Sequence, residues 1–463
     1  MYLYKDYFTR LNFINNIPDP GSSKSQLNRF VKKNIFLAFV FKFSSAACTF
    51  ITVPLILQQL SLAQYGIWLT AASFYPLITM FDLGIGNWIK NRVTEAIAKG
   101  EQEKIKGLIS TAYFLFISIG TILILIFLIL YPFINWVSVL QIPKQSGQNI
   151  DLMMLIILVL FVIQFVLRVI NYIFAATQHN FMSYSLNFLT NLFILIVVLF
   201  FVRSGNTSLF QWCVILASVP VFSIILSTIY FFRSAKLIPT PSYSSVQFNS
   251  LSSMMFSSLP FFISSVCALV LFSTDNFLVN YFFGAENVTR YDLAMKYFHI
   301  VIIGINIILS PFWTAFTHAY YTNDIEWIKK VTRKLVYLWI AITTAVTIML
   351  IISPVAYKLW LGDKVSIPFS LSVGMALYTI LTCWNSVFIH FINGVGKLRL
   401  VTYVGIFIMV LNIPIAILLV KLFHFGPTGV IISNCICLFI GAVICPIQYF
   451  KIINKKATGI WFK

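Results

Sequence analysis

The chain has 463 residues, 59% of them hydrophobic and only 10% charged, with a mean hydropathy of +0.90. Soluble domains carry about a quarter charged residues, so a water-soluble fold is excluded. The formal net charge of +19 would point to nucleic acid in a soluble protein. Here the basic residues sit between long apolar runs, which is the pattern of membrane topology, and no nucleic-acid partner is expected.

Residues 1–33 read as a polar tail. Leu3, Tyr4, Tyr7, Phe8, Leu11 and Ile14 recur at helical spacing with Lys5, Asp6, Arg10 and Asn12 between them, which fits a short helix lying on the membrane surface or a tail with scattered aromatics. Pro18 to Ser23 (PDPGSS) then breaks any helix. No short apolar core precedes a small-residue cleavage site, so the first span is expected to serve as an uncleaved insertion signal. Apolar windows long enough to cross a bilayer follow at 34–57, 64–86, 108–131, 150–173, 182–202, 210–232, 252–281, 291–314, 334–357, 367–391, 401–421 and 428–450. Their continuous rather than alternating hydrophobicity makes them helices, not barrel strands. Pro54, Pro76, Pro220, Pro260, Pro311 and Pro414 mark bend points.

The predicted fold is therefore all-α, with about twelve transmembrane helices. The amino-terminal tail, the even-numbered loops and the carboxyl tail hold 23 of the 32 Lys and Arg, and the odd-numbered loops hold 6. That bias puts both termini in the cytoplasm. A weak repeat relates Ala98–Lys106 (AKGEQEKIK) to Tyr321–Lys329 (YTNDIEWIK), with Glu103, Ile105 and Lys106 answering Glu326, Ile328 and Lys329 at an offset of 223. Because the repeat falls six helices apart, the expected organisation is two pseudo-symmetric six-helix bundles, 34–232 and 252–450, around a central cavity. A linker at 233–251 joins them, and a basic tail at 451–463 closes the chain.

No phosphate-binding loop, HExxH, GxSxG or paired-carboxylate motif occurs, and no outward loop is long enough to build an active site. No catalytic residue, cofactor or metal is expected. The seven cysteines (Cys48, Cys213, Cys267, Cys383, Cys435, Cys437, Cys445) lie in apolar stretches without metal-ligand spacing.

Function then rests on ionisable groups inside the spans, each costing at least a few kcal/mol to insert. Lys42 lies about eight residues, roughly 12 Å, into the first span, and Asp82 and Arg168 lie near the ends of spans two and four. All three could face one vestibule, while Asp82 and Arg168 could instead reach headgroups. Toward the other side stand Asp275 and the set Asp292, Lys296 and His299, which share one helical face. An Asp275–Lys296 ion pair is the structural reading. The functional one makes Asp275 a proton or cation site with His299 as a relay. Lys42, Arg168 and Lys296 suit a substrate bearing phosphate. Tyr65, Trp68, Tyr75, Tyr172, Tyr291, Tyr297, Trp313 and Trp384 could stack on sugar rings.

Pro54, the run Gln64-Tyr65-Gly66-Ile67-Trp68, and Phe81-Asp82-Leu83-Gly84-Ile85-Gly86 together resemble the start of bacterial polysaccharide-repeat-unit (O-antigen) flippases of the multidrug/oligosaccharidyl-lipid/polysaccharide exporter superfamily. So do Thr274-Asp275-Asn276, Gly284 with Val288 and Tyr291, Pro311-Phe312-Trp313, Asp324 with Trp327, and Asn393-Gly394-Val395-Gly396-Lys397. The resemblance implies two six-helix bundles around a partly cationic cavity in the bacterial inner membrane. It also implies an undecaprenyl-pyrophosphate-linked oligosaccharide as substrate, flipped to the periplasmic leaflet by ion-driven alternating access for O-antigen or capsule assembly. Membrane lipids, a polysaccharide polymerase and a chain-length regulator are the further partners it implies. On that footing Lys42, Arg168, Lys296, Tyr65 and Tyr291 are expected to bind substrate, with Asp275, Asp82 and His299 serving coupling or gating. The rival readings are a drug/cation antiporter of the same superfamily and, more distantly, a membrane polysaccharide polymerase or ligase.

Overall fold

A computed structural model describes residues 24–140, 150–177, 180–204, 208–234, 238–248 and 274–461. The tail helix expected before residue 24, and most of the run 252–281 with Pro260 and Cys267, lie outside the described residues. Sixteen α-helices are described. They are α1 (Lys24–Gln59), α2 (Leu62–Ala72), α3 (Phe74–Thr79), α4 (Ile85–Lys99), α5 (Gln102–Leu130), α6 (Trp136–Val139), α7 (Ile150–Leu167), α8 (Val169–Ala176), α9 (Asn180–Ser204), α10 (Leu209–Ser234), α11 (Asp275–Phe283), α12 (Ala285–Tyr321), α13 (Ile325–Leu361), α14 (Phe369–Val395), α15 (Arg399–Lys421) and α16 (Thr428–Ile453). No strand occurs among the described residues.

Ten of the helical segments are long and apolar enough to cross a membrane, and the pair Leu62–Asp82 and Ile85–Ile97, bent by 53°, makes up to eleven. Their outer faces carry exposed large apolar side chains such as Phe200, Leu359, Ile351 and Phe439. Water would penalise such surfaces, whereas acyl chains accept them.

The chain divides into two compact units. Unit 1 comprises Met1–Gln59, Phe74–Val139 and Pro143–Ser265, and unit 2 comprises Leu60–Ser73, Leu140–Ile142 and Val266–Lys463. Thus α2, early in the sequence, belongs to the second unit. In unit 1, α1 packs along α9, α4 lies against α5 and α8, and α7 lies against α5 and α10. In unit 2 the long helix α12 is the hub, touching α2, α11, α13 and α14, while α16 packs on α14 and α15.

Local chemistry sets these elements. Ser61 and Gln64 form a capping box that starts α2, each side chain bonding the other's backbone N–H. Gly66 then lets α2 meet α12 at backbone distance: a Cβ there would lie 1.7 Å from the Ala285 carbonyl oxygen. The bend before α4 is built by Leu83 and Gly84, both left-handed with φ of 50° and 75°. A left-handed leucine is unfavourable, and Asp82 offsets it by accepting the Gly84 N–H through Oδ1 at 2.8 Å.

The sequence offset of 223 is also reproduced bond for bond. Gly100 and Asn323 are both left-handed, and Glu101 and Asp324 cap α5 and α13 with nearly the same backbone angles. The bonds Glu101 N–H to Ala96 O and Ile105 N–H to Glu101 O recur as Asp324 to Ala319 and Ile328 to Asp324. One turn design therefore serves both units.

Candidate functional site

In unit 1, Lys42 and Arg168 are half-buried within helices that read as spans. Lys42 emerges from α1 where it packs on α9, and its Nζ lies 4.4 Å from the centre of the Tyr184 ring. One turn further, Asn191 donates to Ser45 Oγ at 2.6 Å. These contacts ascend together on both helices, so α1 and α9 run parallel, as the first and fifth spans of an alternating path must. Arg168 stands at the break between α7 and α8, its guanidinium 5.7 Å from the Tyr172 ring. Asp82 and Tyr75 are also within its electrostatic reach.

The Tyr172 hydroxyl in turn donates to Asp82 Oδ2 at 2.5 Å. Gly86 makes room for this ring, because a Cβ at that position would lie 2.0 Å from the Tyr172 Cζ. Both Asp82 oxygens are thus engaged, one by the bend and one by Tyr172. The Asp-Leu-Gly-Ile-Gly run works as a staple that fixes α4 and α8. Neither Lys42 nor Arg168 has a carboxylate within ion-pair distance among the described residues. The π-faces of Tyr184 and Tyr172 attract these cations without neutralising them, and Arg168 also feels the charge of Asp82.

Unit 2 carries a different arrangement. Asp275 opens α11 and is buried. Its Oδ2 accepts from the Tyr291 hydroxyl of α12 at 2.6 Å and from Asn434 Nδ2 of α16 at 2.7 Å. Asn412 of α15 extends the chain by donating to Asn434 Oδ1 at 2.6 Å. All four residues are buried. They stand about six to nine residues, roughly 9–14 Å at the helical rise, from the end where α11 turns into α12 and α15 into α16. Asp275 Oδ1 and Asn412 Oδ1 find no hydrogen-bond partner among the described residues. Two orphaned acceptor oxygens in one buried network form an environment for a proton or a small cation.

Lys296 lies one turn beyond Asp292 on α12. It is paired with that carboxylate and donates to the Tyr65 hydroxyl of α2 at 3.1 Å. The alternative Asp275–Lys296 pair is therefore not formed: an (i, i+4) partner on the same helix satisfies the ammonium, and only neutral donors, on Oδ2, reach Asp275. His299 is exposed one turn further along and makes no hydrogen bond among the described residues.

The structure thus joins Tyr291 to Asp275, Tyr65 to Lys296, and Arg168 to Asp82 through Tyr172, and it places Lys42 on its own tyrosine. Asn412, Asn434, Tyr184 and Asn191 escaped the sequence reading. For Asn412 the available signal was a lone amide in an otherwise apolar span, which in hydrocarbon needs a partner.

What these helices build is a transporter fold. The chain is similar to an inward-facing multidrug resistance MATE family transporter of the MOP superfamily (TM-score 0.64, 14% identity, covering 89% of this chain and 100% of that one). It is similar also to an outward-facing multidrug resistance MATE family transporter of that superfamily (0.62, 14%, 92% and 96%) and to a mutant Vibrio cholerae MATE transporter (0.60, 15%, 93% and 99%). The chain belongs to the polysaccharide biosynthesis protein family, whose profile matches residues 31–313. No curated protein matches it in sequence.

Proposed function

We propose that this multi-pass membrane protein is a flippase. It translocates an undecaprenyl-pyrophosphate-linked oligosaccharide repeat unit from the cytoplasmic to the periplasmic leaflet of the bacterial inner membrane. The step serves O-antigen or capsular polysaccharide assembly, upstream of a polymerase and chain-length regulator. The observation that carries this reading is the pair of intramembrane cations in unit 1, Lys42 and Arg168, neither within ion-pair distance of a carboxylate among the described residues. An unpaired cation in a span is costly, and a pyrophosphate moving past it supplies the missing counter-charge. Family membership supports a saccharide as the carried group. The Asp275 network is the ion-coupling site of this scheme, and the protein itself makes and breaks no covalent bond.

A second reading, a drug/cation antiporter, draws on the fold shared with multidrug transporters and on the buried carboxyl of Asp275. The two readings differ in the charge of the cargo. Purified protein in vesicles should move a labelled polyprenyl-pyrophosphoryl oligosaccharide between leaflets and leave an organic cation where it is. The reverse preference would replace the flippase by the antiporter.

A further inference from the structure

After Asp363 the sequence contains no Asp or Glu, while eight Lys and Arg remain. Five of these, Lys397, Arg399, Lys451, Lys455 and Lys456, collect at one end of unit 2. Fully buried Gln448 ties the region together, its Nε2 donating to Lys397 O at 3.0 Å, in the turn between α14 and α15, and to Trp461 O at 3.4 Å. The chain reverses after α16 through left-handed Lys455 (φ 54°). This folds the turn Gly459–Trp461 back against α15 and α16. Trp461 then holds the Lys451 ammonium 3.7 Å above its ring, and Arg399 lies 5.9 Å from the ring of Tyr403.

The same end is edged by apolar groups. Tyr403, Leu398, Phe450 and Ile460 are exposed, continuing the outward faces of α15 and α16 represented by Phe407 and Phe439. Positive charges at the tip of a span with aromatics and aliphatics immediately below match the layering of a phospholipid, phosphate above and acyl chain beneath. Arg399, Lys451, Lys455 and Lys456 have no carboxylate partner among the described residues.

We infer that this end of unit 2 is a binding site for the headgroup of an anionic phospholipid, held by Arg399, Lys451, Lys455 and Lys456. Trp461 and Tyr403 position the charged groups at the polar–apolar boundary. The site is independent of the substrate reading, since it uses none of the residues assigned to cargo or coupling. A general excess of positive charge would fix orientation without a preferred lipid position. The folded-back tail and the Gln448 bonds instead give these charges a defined geometry.

The test is lipid binding to the full chain in detergent, read by native mass spectrometry during titration with phosphatidylglycerol or phosphatidylcholine. The intact protein should retain phosphatidylglycerol at low lipid concentration and release phosphatidylcholine. Replacing exposed Lys455 and Lys456 by Gln should weaken phosphatidylglycerol binding about fivefold per charge removed. Trp461→Ala should weaken it further by freeing Lys451. A control with Lys329, Lys330, Arg333 and Lys334 on α13 changed to Gln should bind as the parent does. Equal losses in both charge sets would show diffuse electrostatics and overturn the site, as would full retention in the Lys455/Lys456 variant or displacement of the lipid by millimolar inorganic phosphate.

Discussion

Tyr291 donates its hydroxyl to Asp275 Oδ2 across 2.6 Å, from the helix that follows the aspartate in the chain. Asn434 reaches the same oxygen from α16, while the other oxygen faces no partner among the described residues. A buried carboxyl with neutral donors on one oxygen and none on the other keeps that oxygen for a proton or cation while the scaffold holds the first.

Asp275→Asn keeps the shape of this network and removes the exchangeable charge. The variant should fold, and its transport under an imposed pH or sodium gradient should fall to the rate seen without one. Undiminished gradient-driven transport would remove Asp275 from coupling. Asp275→Leu should in addition lower stability by about 1–3 kcal/mol, because the Tyr291 hydroxyl and the Asn434 amide lose their acceptor.

The two glycine contacts predict opposite responses to repair. Gly86→Ala meets a side chain, the Tyr172 ring, and should cost about 1–3 kcal/mol, much of it recovered in the double variant with Tyr172→Leu. Gly66→Ala meets the Ala285 backbone carbonyl and should be the more damaging change, with no neighbouring truncation able to restore it. Thermal unfolding in detergent measures both. Equal recovery at the two positions would mean that α2 and α12 are not in backbone contact.

Lys296 and Asp292 form a partly buried pair on one helix. Lys296→Ala alone leaves the carboxylate without its cation, and Asp292→Ala alone leaves the ammonium with only Tyr65. Each single variant should be less stable than the double variant, by about 1 kcal/mol or more. Additive losses would show the two side chains to be energetically independent.

The spans were legible in the sequence because hydrocarbon forces twenty-residue apolar helices and leaves little else for the chain to be. The turn repeated at an offset of 223 left its trace in Glu103, Ile105 and Lys106 answering Glu326, Ile328 and Lys329, while the left-handed Gly100 and Asn323 that build it share no residue type. Partner choice was harder to read. The sequence left Asp82 either facing a vestibule or reaching headgroups, yet its oxygens are taken by the backbone of its own bend and by Tyr172, a partner 90 positions away. Lys296 chose Asp292 over Asp275 because a same-helix neighbour needs no particular helix crossing. Asn412 and Asn434 carry no charge, and an amide in an apolar span shows that it needs a partner without showing which one. That α2 belongs to unit 2 depends on Gly66 meeting Ala285, a contact between residues 219 positions apart that no periodicity encodes.

The central claim, that unpaired cations in unit 1 receive an anionic lipid-linked cargo, is tested most directly by a leaflet-exchange assay on reconstituted vesicles. The cargo is a labelled polyprenyl-pyrophosphoryl oligosaccharide, and the proteins are the parent chain and a variant with Lys42→Gln and Arg168→Gln. The parent should translocate the lipid well above protein-free vesicles, and the variant, present at the same level and equally stable, should lose at least about tenfold in rate, a factor worth about 1.4 kcal/mol. Equal rates for parent and variant would contradict the account.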